Sequence, residues 1–199
     1  GKKVVVTRAP SKEDSLTQRL NDLGADILPV PVLRSDVTTR SRELVECILG
    51  IGEYDWVIFT SARGVDAFFE AFFKAYNDIR SIGNVRIAAV GPATAKRIEA
   101  LHLTVDAIPA AYRADQIKDA IHSHESVENI RILLARAEVA NPELPQLLEK
   151  EGAMVDDVAC YRTVSETNDP QETGEKLQNE GADWLTFTSS SAVQHFHDR

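Results

Sequence analysis

DWVIFTSARGVDAF at positions 55–68 and DWLTFTSSSAVQHF at 183–196 are one pattern written twice, with seven identities in fourteen positions. In both, Asp-Trp leads a short apolar run into a Thr-Ser pair, and a helical pattern follows. The separation is 128 residues, and the same offset holds upstream, where residues 4–34 align with 132–162 without a gap and nine of thirty-one positions are identical. Arg8/Arg136, Leu16/Leu144, Gly24/Gly152, Val30/Val158 and Arg34/Arg162 are among those pairs. One register kept through two separate blocks marks an internal duplication. Any two strand-helix units share apolar runs, but they do not require matched Arg, Trp and Thr-Ser residues.

Two full copies would fill 256 residues, whereas the chain has 199 and stops 57 residues short of the second copy's end. The counterparts of the shortfall are positions 72–128, so RIAAVG (86–91) has no partner. The full protein is therefore expected to be longer than these residues.

The runs KVVVT, DWVIFT, VRIAAV, RILLAR and DWLTFT each lead into a small or polar turn and then a helical pattern. That alternation predicts an α/β fold with buried parallel sheets. Ser11 is positioned to cap a helix over 12–23 with Asp14 in its first turn, and Pro92 follows Gly91 as a first helical residue. Gly24 and Gly152 close the helices 12–23 and 142–151, where a left-handed residue ends the last turn at little steric cost.

PVPVLRSDVTT (29–39) and DVACYRTVSET (157–167) occupy equivalent places in the two copies and read as extended linkers. Crossings at both places would make the middle of the chain, 38 to about 160, one lobe, and the N-terminal unit plus everything after 166 a discontinuous second lobe. Two side-by-side lobes split near residue 128 satisfy the same pattern.

Composition narrows the function. With 43% hydrophobic and 27% charged residues, the chain is neither disordered nor collagen-like. A formal charge of -9 and a pI near 5.1 provide no basic footprint for nucleic acid or an anionic membrane. Cys47 and Cys160 lack the spacing of a disulfide framework or zinc site, which suits a reducing cytoplasm. The longest apolar runs are about five residues, against about 20 for a bilayer span.

In parallel sheets, ligands collect at the carboxyl ends of strands, where helix N-termini favour anions. Five such ends are legible: Thr7-Arg8, Thr60-Ser61, Gly91-Pro92-Ala93-Thr94, Ala135-Arg136 and Thr188-Ser189-Ser190-Ser191. None is a phosphate loop, since neither GxGxxG nor GxxxxGK[ST] occurs. Each Ser or Thr can equally be a plain helix cap, and Arg8 and Arg136 can equally be structural ion pairs. His102, His122, His124, His195 and His197 have no metal-binding spacing, and His195 and His197 read as exposed helix residues. No GxSxG motif activates the serines at 189–191. Tyr161 lies in a linker and is expected to face a cleft, where a neutral phenol can donate a proton to a leaving oxygen. Interlobe packing is its other reading.

Taken together, VVVTRAP, LNDLGADILPVPVL, DWVIFTSARGVDAFF, IAAVGPATAKRIEAL, the RILLARAE to DVACYRTV block and DWLTFTSSSAV resemble the uroporphyrinogen-III synthase family over nearly the whole chain. The resemblance implies two flavodoxin-like α/β lobes with parallel sheets: 1–32 with 166–199, and 38–158, joined by linker strands 33–37 and 159–165. The lobe holding the C-terminal part is incomplete. It implies a cofactor-free, metal-free enzyme that dehydrates and cyclises hydroxymethylbilane with inversion of ring D. It further implies a cytoplasmic monomer in haem and sirohaem biosynthesis, partnered by the upstream hydroxymethylbilane synthase or a fused methyltransferase. By the same resemblance Tyr161 assists water loss and Thr94 contacts the substrate, while Thr60, Ser61, Ser189 and Ser190 meet its carboxylates. Arg8, Gly91, Arg136 and Thr188 complete the expected binding set. Should 199 residues be the whole product, weak or absent activity is expected. A two-lobe, non-catalytic receptor for an anionic small molecule is the competing reading.

Overall fold

In the computed structural model, which describes residues 1–8, 15–37, 41–168 and 172–197, the five quoted runs all become strands. The strands are β1 (Lys3–Val6), β2 (Asp26–Pro29), β3 (Leu33–Val37), β4 (Trp56–Phe59), β5 (Arg86–Ala89), β6 (Arg131–Ala137), β7 (Met154–Ser165) and β8 (Trp184–Thr186). The α-helices are α1 (Ser15–Asp22), α2 (Arg42–Leu49), α3 (Ala62–Ala75), α4 (Pro92–Glu99), α5 (Ala114–His122), α6 (Glu143–Lys150), α7 (Thr173–Glu180) and α8 (Ser190–His197). The registered strand pairs run parallel, so the fold is mixed α/β with parallel sheets. The Ser11 cap and Asp14 lie outside the described residues. Among the described residues no helix is long and apolar enough to cross a membrane.

The chain divides into two units, Gly1–Ser35 with Thr163–Arg199, and Asp36–Arg162. The first holds a three-stranded sheet in the order β2-β1-β8. The second holds most of a five-stranded sheet in the order β3-β7-β6-β4-β5, the start of β3 and the last residues of β7 falling in the first.

Within each unit the duplicated sequence produces duplicated pairing. Lys3 pairs with Asp26 as Arg131 pairs with Met154, and Val4 pairs with Trp184 as Ile132 pairs with Trp56, each residue displaced by 128. The repeat extends to the strand entrances. Asp55 N–H donates to the Arg131 carbonyl while the Asp55 carboxylate accepts Arg131 N–H at 2.7 Å. Asp183 and Lys3 make the same two bonds, the second at 2.8 Å. Gly24 (φ 76°) and Gly152 (φ 92°) end α1 and α6 in the left-handed region.

The sheet of the second unit is covered on both faces, as near-continuous apolar strands require. Val57 and Phe59 point to a cluster with Leu44, Ile48, Phe68, Phe72 and Ile98 from α2, α3 and α4. Trp56 and Ile58 point the other way, to Ile117, Ile121, Leu144 and Leu148 from α5 and α6. Trp56 is 0% exposed, its indole N–H donates to Glu125 at 2.7 Å, and its ring meets His124 edge-on. Trp184, its counterpart in the first unit, is 65% exposed.

Candidate functional site

The carboxyl ends of β4 and β6, with Tyr161 of β7 beside the last residue of β6, converge on a cavity of about 530 Å³ in the second unit, within the usual range for a small-molecule site. Thr60 and Ser61 enter it from the turn after β4, Arg136 from the end of β6, and Tyr161 from β7. Four sequence-predicted residues thus share one chamber. Tyr112, Arg113, Asn141 and Glu143 also line it, and no sequence motif points to them.

Local chain geometry explains the convergence. Ser61 has extended backbone and caps α3, its hydroxyl accepting Gly64 N–H at 3.0 Å. The β6·β7 ladder shifts register between Arg136 and Ala137: Arg136 pairs with Ala159, whereas Ala137 pairs with Tyr161. Cys160 is the extra residue, and Val158, Cys160 and Tyr161 consequently pack in the same cluster despite strand alternation. The displaced Tyr161, 9% exposed, brings its hydroxyl to 3.1 Å from that of Ser61.

Arg136 forms the structural ion pair that is one of its two sequence-based readings. Its guanidinium, 7% exposed as a residue, makes a two-pronged ion pair with Asp157 and donates Nη1–H to the Asn141 carbonyl at 2.6 Å. It also walls the cavity. Arg113, at the mouth of α5, pairs with Asp115 at 3.0 Å while facing the same space.

The remaining predicted residues occupy other strand ends. Gly91 precedes α4 with φ 92°, a conformation open to glycine, and a Cβ there would meet nothing within 4 Å. Thr94, in the first turn of α4, is only 3% exposed and does not line the cavity. Arg8 lines a separate pocket of the first unit with Thr17, Asn21 and Asp26. Thr188, Ser189 and Ser190 are exposed at the entry to α8, where Ser189 Oγ accepts Ala192 N–H at 3.2 Å. His195, expected to be exposed, is instead half-buried, with Nδ1 2.6 Å from Ser165 Oγ.

Charge is segregated along this sheet. A second cavity of about 500 Å³, at the amino ends of β4 and β6, is lined by Glu43, Glu46, Glu53, Asp156 and Asp157 against Arg131 alone. There burial and the bond to Asp156 push the Tyr54 phenol well above its ordinary range, and burial raises the Cys47 thiol. The carboxyl-end cavity carries Arg113 and Arg136 against Glu143. An acidic chain therefore presents its less acidic face where the hydroxyls gather.

Comparison with known proteins matches residues 14–199 to the family described as uroporphyrinogen-III synthase HemD. The porphyrin biosynthesis protein HemD of Ruminiclostridium josui is 26% identical over 98% of this chain, which spans 39% of that protein's length. The uroporphyrinogen-III synthase of Synechococcus elongatus is 28% identical, with 98% of this chain and 74% of its own length covered. A crystal structure of a mutant uroporphyrinogen III synthase from the extremely thermophilic bacterium Thermus thermophilus shares the fold with a TM-score of 0.63 at 19% identity. That match covers all of this chain and 77% of the other.

Proposed function

The chain belongs to the uroporphyrinogen-III synthase HemD family, cyclising lyases of porphyrin biosynthesis, and on that premise we propose a division of labour among its residues during closure of hydroxymethylbilane. The substrate is a linear tetrapyrrole bearing carboxylate side chains. In the first step its terminal C–O bond breaks with the electron pair on oxygen, pushed by the pyrrole nitrogen. Tyr161 gives its hydroxyl proton to that oxygen, releasing water and leaving an electron-poor azafulvenium cation opposite the Tyr161 phenolate. The substituted carbon of ring D then attacks, the spiro intermediate fragments and recloses with ring D inverted, and the closing ring D carbon loses its proton, which restores the Tyr161 phenol. The pyrroles supply the electronic push, so the protein's main contribution is orientation, an effect that reaches several kcal/mol in well-aligned sites.

The observation carrying this reading is the chamber that joins Thr60 and Ser61 after β4, Arg136 at the end of β6 and Tyr161 of β7. Thr60 and Arg113 are assigned to substrate carboxylates, with Arg136 contributing the N–H groups that Asp157 and Asn141 leave over. The N-terminus of α4 at Gly91 is assigned a further anion contact, and Thr94 a supporting role in that turn. Arg8, Thr188, Ser189 and Ser190 are assigned carboxylate contacts from the first unit. The reading includes two flavodoxin-like lobes and a cytoplasmic setting supplied by hydroxymethylbilane synthase. The test is incubation of the purified protein with enzymatically generated hydroxymethylbilane, then isomer analysis of the oxidised porphyrin. Type III product is expected, and type I alone overturns the assignment.

A further inference from the structure

We propose that Ser61 is a positioning residue for Tyr161, accepting Gly64 N–H while donating its own proton to Tyr161 Oη, so that the phenol proton is turned toward the cavity. This rests on the reading of Tyr161 as proton donor.

The two bonds to Ser61 Oγ are 3.0 Å from Gly64 N and 3.1 Å to Tyr161 Oη. A serine hydroxyl has one proton to give. An N–H donated to its oxygen polarises the O–H and strengthens it as a donor, which favours the head-to-tail order Gly64, Ser61, Tyr161, substrate oxygen. The opposite order would spend the phenol proton inside the protein. In the proposed order, water loss breaks the Tyr161 O–H bond with its pair remaining on Oη. The Ser61 proton stays on serine and stabilises the phenolate as a hydrogen bond until the proton released by the closing ring D carbon returns to Tyr161 Oη.

The internal repeat separates this role from ordinary capping. Ser189 makes the same cap in the first unit, yet the residue matching Gly64 there is Ala192 and the one matching Tyr161 is Leu33. A capping serine therefore requires neither glycine nor tyrosine. At Gly64 an added Cβ would lie 3.3 Å from Ser61 Oγ and 3.2 Å from the Ala135 carbonyl. The glycine keeps the hydroxyl and the end of β6 close, where the register shift delivers Tyr161. Capping explains the serine, and the hydrogen-bond chain to the phenol explains the glycine and tyrosine that accompany it.

The test compares Ser61→Ala, Ser61→Thr, Tyr161→Phe and the double variant Ser61→Ala/Tyr161→Phe. Ser61→Ala is expected to lower kcat for type III formation about tenfold, the scale of one hydrogen bond, with little change in KM. Ser61→Thr keeps cap and hydroxyl and restores most of the rate. The double variant is expected to match Tyr161→Phe, and an equal Ser61→Ala effect in both backgrounds overturns the proposal. A readout independent of turnover uses protein labelled at tyrosine ¹³Cζ, with the Tyr161 signal identified by its loss in Tyr161→Phe. That signal should move in Ser61→Ala and return in Ser61→Thr, and an unmoved signal overturns the hydrogen bond. A wild-type protein that makes no type III product defeats the catalytic reading separately, leaving the NMR result to decide the bond.

Discussion

Tyr161 and Ser61 stand 100 residues apart in sequence, yet their hydroxyls meet at 3.1 Å because β4 and β7 both flank β6, and the turn after β4 reaches the level at which Tyr161 pairs with the last residue of β6. The register shift at Arg136/Ala137 completes the approach by placing Tyr161, instead of Cys160, opposite Ala137. A hydrophobic strand face thereby ends in a phenol at the rim of a cavity.

Arg136 is held by Asp157 and the Asn141 carbonyl, so its removal strands a carboxylate and a carbonyl. Arg136→Met is expected to lower stability in urea denaturation by about 1–3 kcal/mol, the range for a charged hydrogen-bonded group losing its partner. Arg136→Lys should recover only part of this, because a single ammonium cannot reproduce the two parallel bonds. An unchanged midpoint in Arg136→Met would show that the pair contributes nothing to the fold.

Cys160 is fully buried, and burial pushes its thiol up to about 12. Because the folded value lies above the ordinary thiol value, the fold holds the proton that the unfolded chain releases. This contribution is intact below about pH 9 and is lost progressively as pH rises toward 12. Thermal melts of wild type should therefore fall more steeply with pH above 9 than those of Cys160→Ala. At pH 8 a thiol reagent should label Cys160 only after denaturation, and rapid native labelling would contradict its placement.

The two tryptophans report on the two units separately. Trp184 (65% exposed) should give the red-shifted, acrylamide-quenchable emission that survives in Trp56→Phe. Trp56 (0% exposed) should give the blue-shifted, protected emission that survives in Trp184→Phe. Equal quenching of the two variants would contradict the contrast.

Phe72 is fully buried among Phe68, Phe69, Phe73 and Tyr76 along α3. Phe72→Ala is expected to cost about 3–5 kcal/mol, the range for removing a buried aromatic ring. A loss below about 1 kcal/mol would mean that this layer repacks freely.

The strands are legible in the sequence because buried parallel strands are short apolar runs, and the repeat fixes which of them are equivalent. The cavity hydroxyls Thr60 and Ser61 are legible because strand ends lead into helix caps. What escapes the sequence has tertiary origins. Nothing in VACYRT marks Cys160 as the extra residue of a register shift, since the signal is its mismatch with β6. Tyr112 and Arg113 reach the cavity because the segment before α5 passes that rim, and no motif around them announces it. Thr94 shows the converse. Its place after Gly91 suggests an open turn, but packing of α4 leaves it buried.

The central claim is that the Tyr161 hydroxyl donates the proton for water loss, and the most direct measurement is kcat for type III uroporphyrinogen formation by wild type and Tyr161→Phe, made beside melts showing equal folding. The account predicts a fall of about a hundredfold or more in the variant, the usual contribution of a positioned general acid. Equal kcat in the two proteins would contradict it.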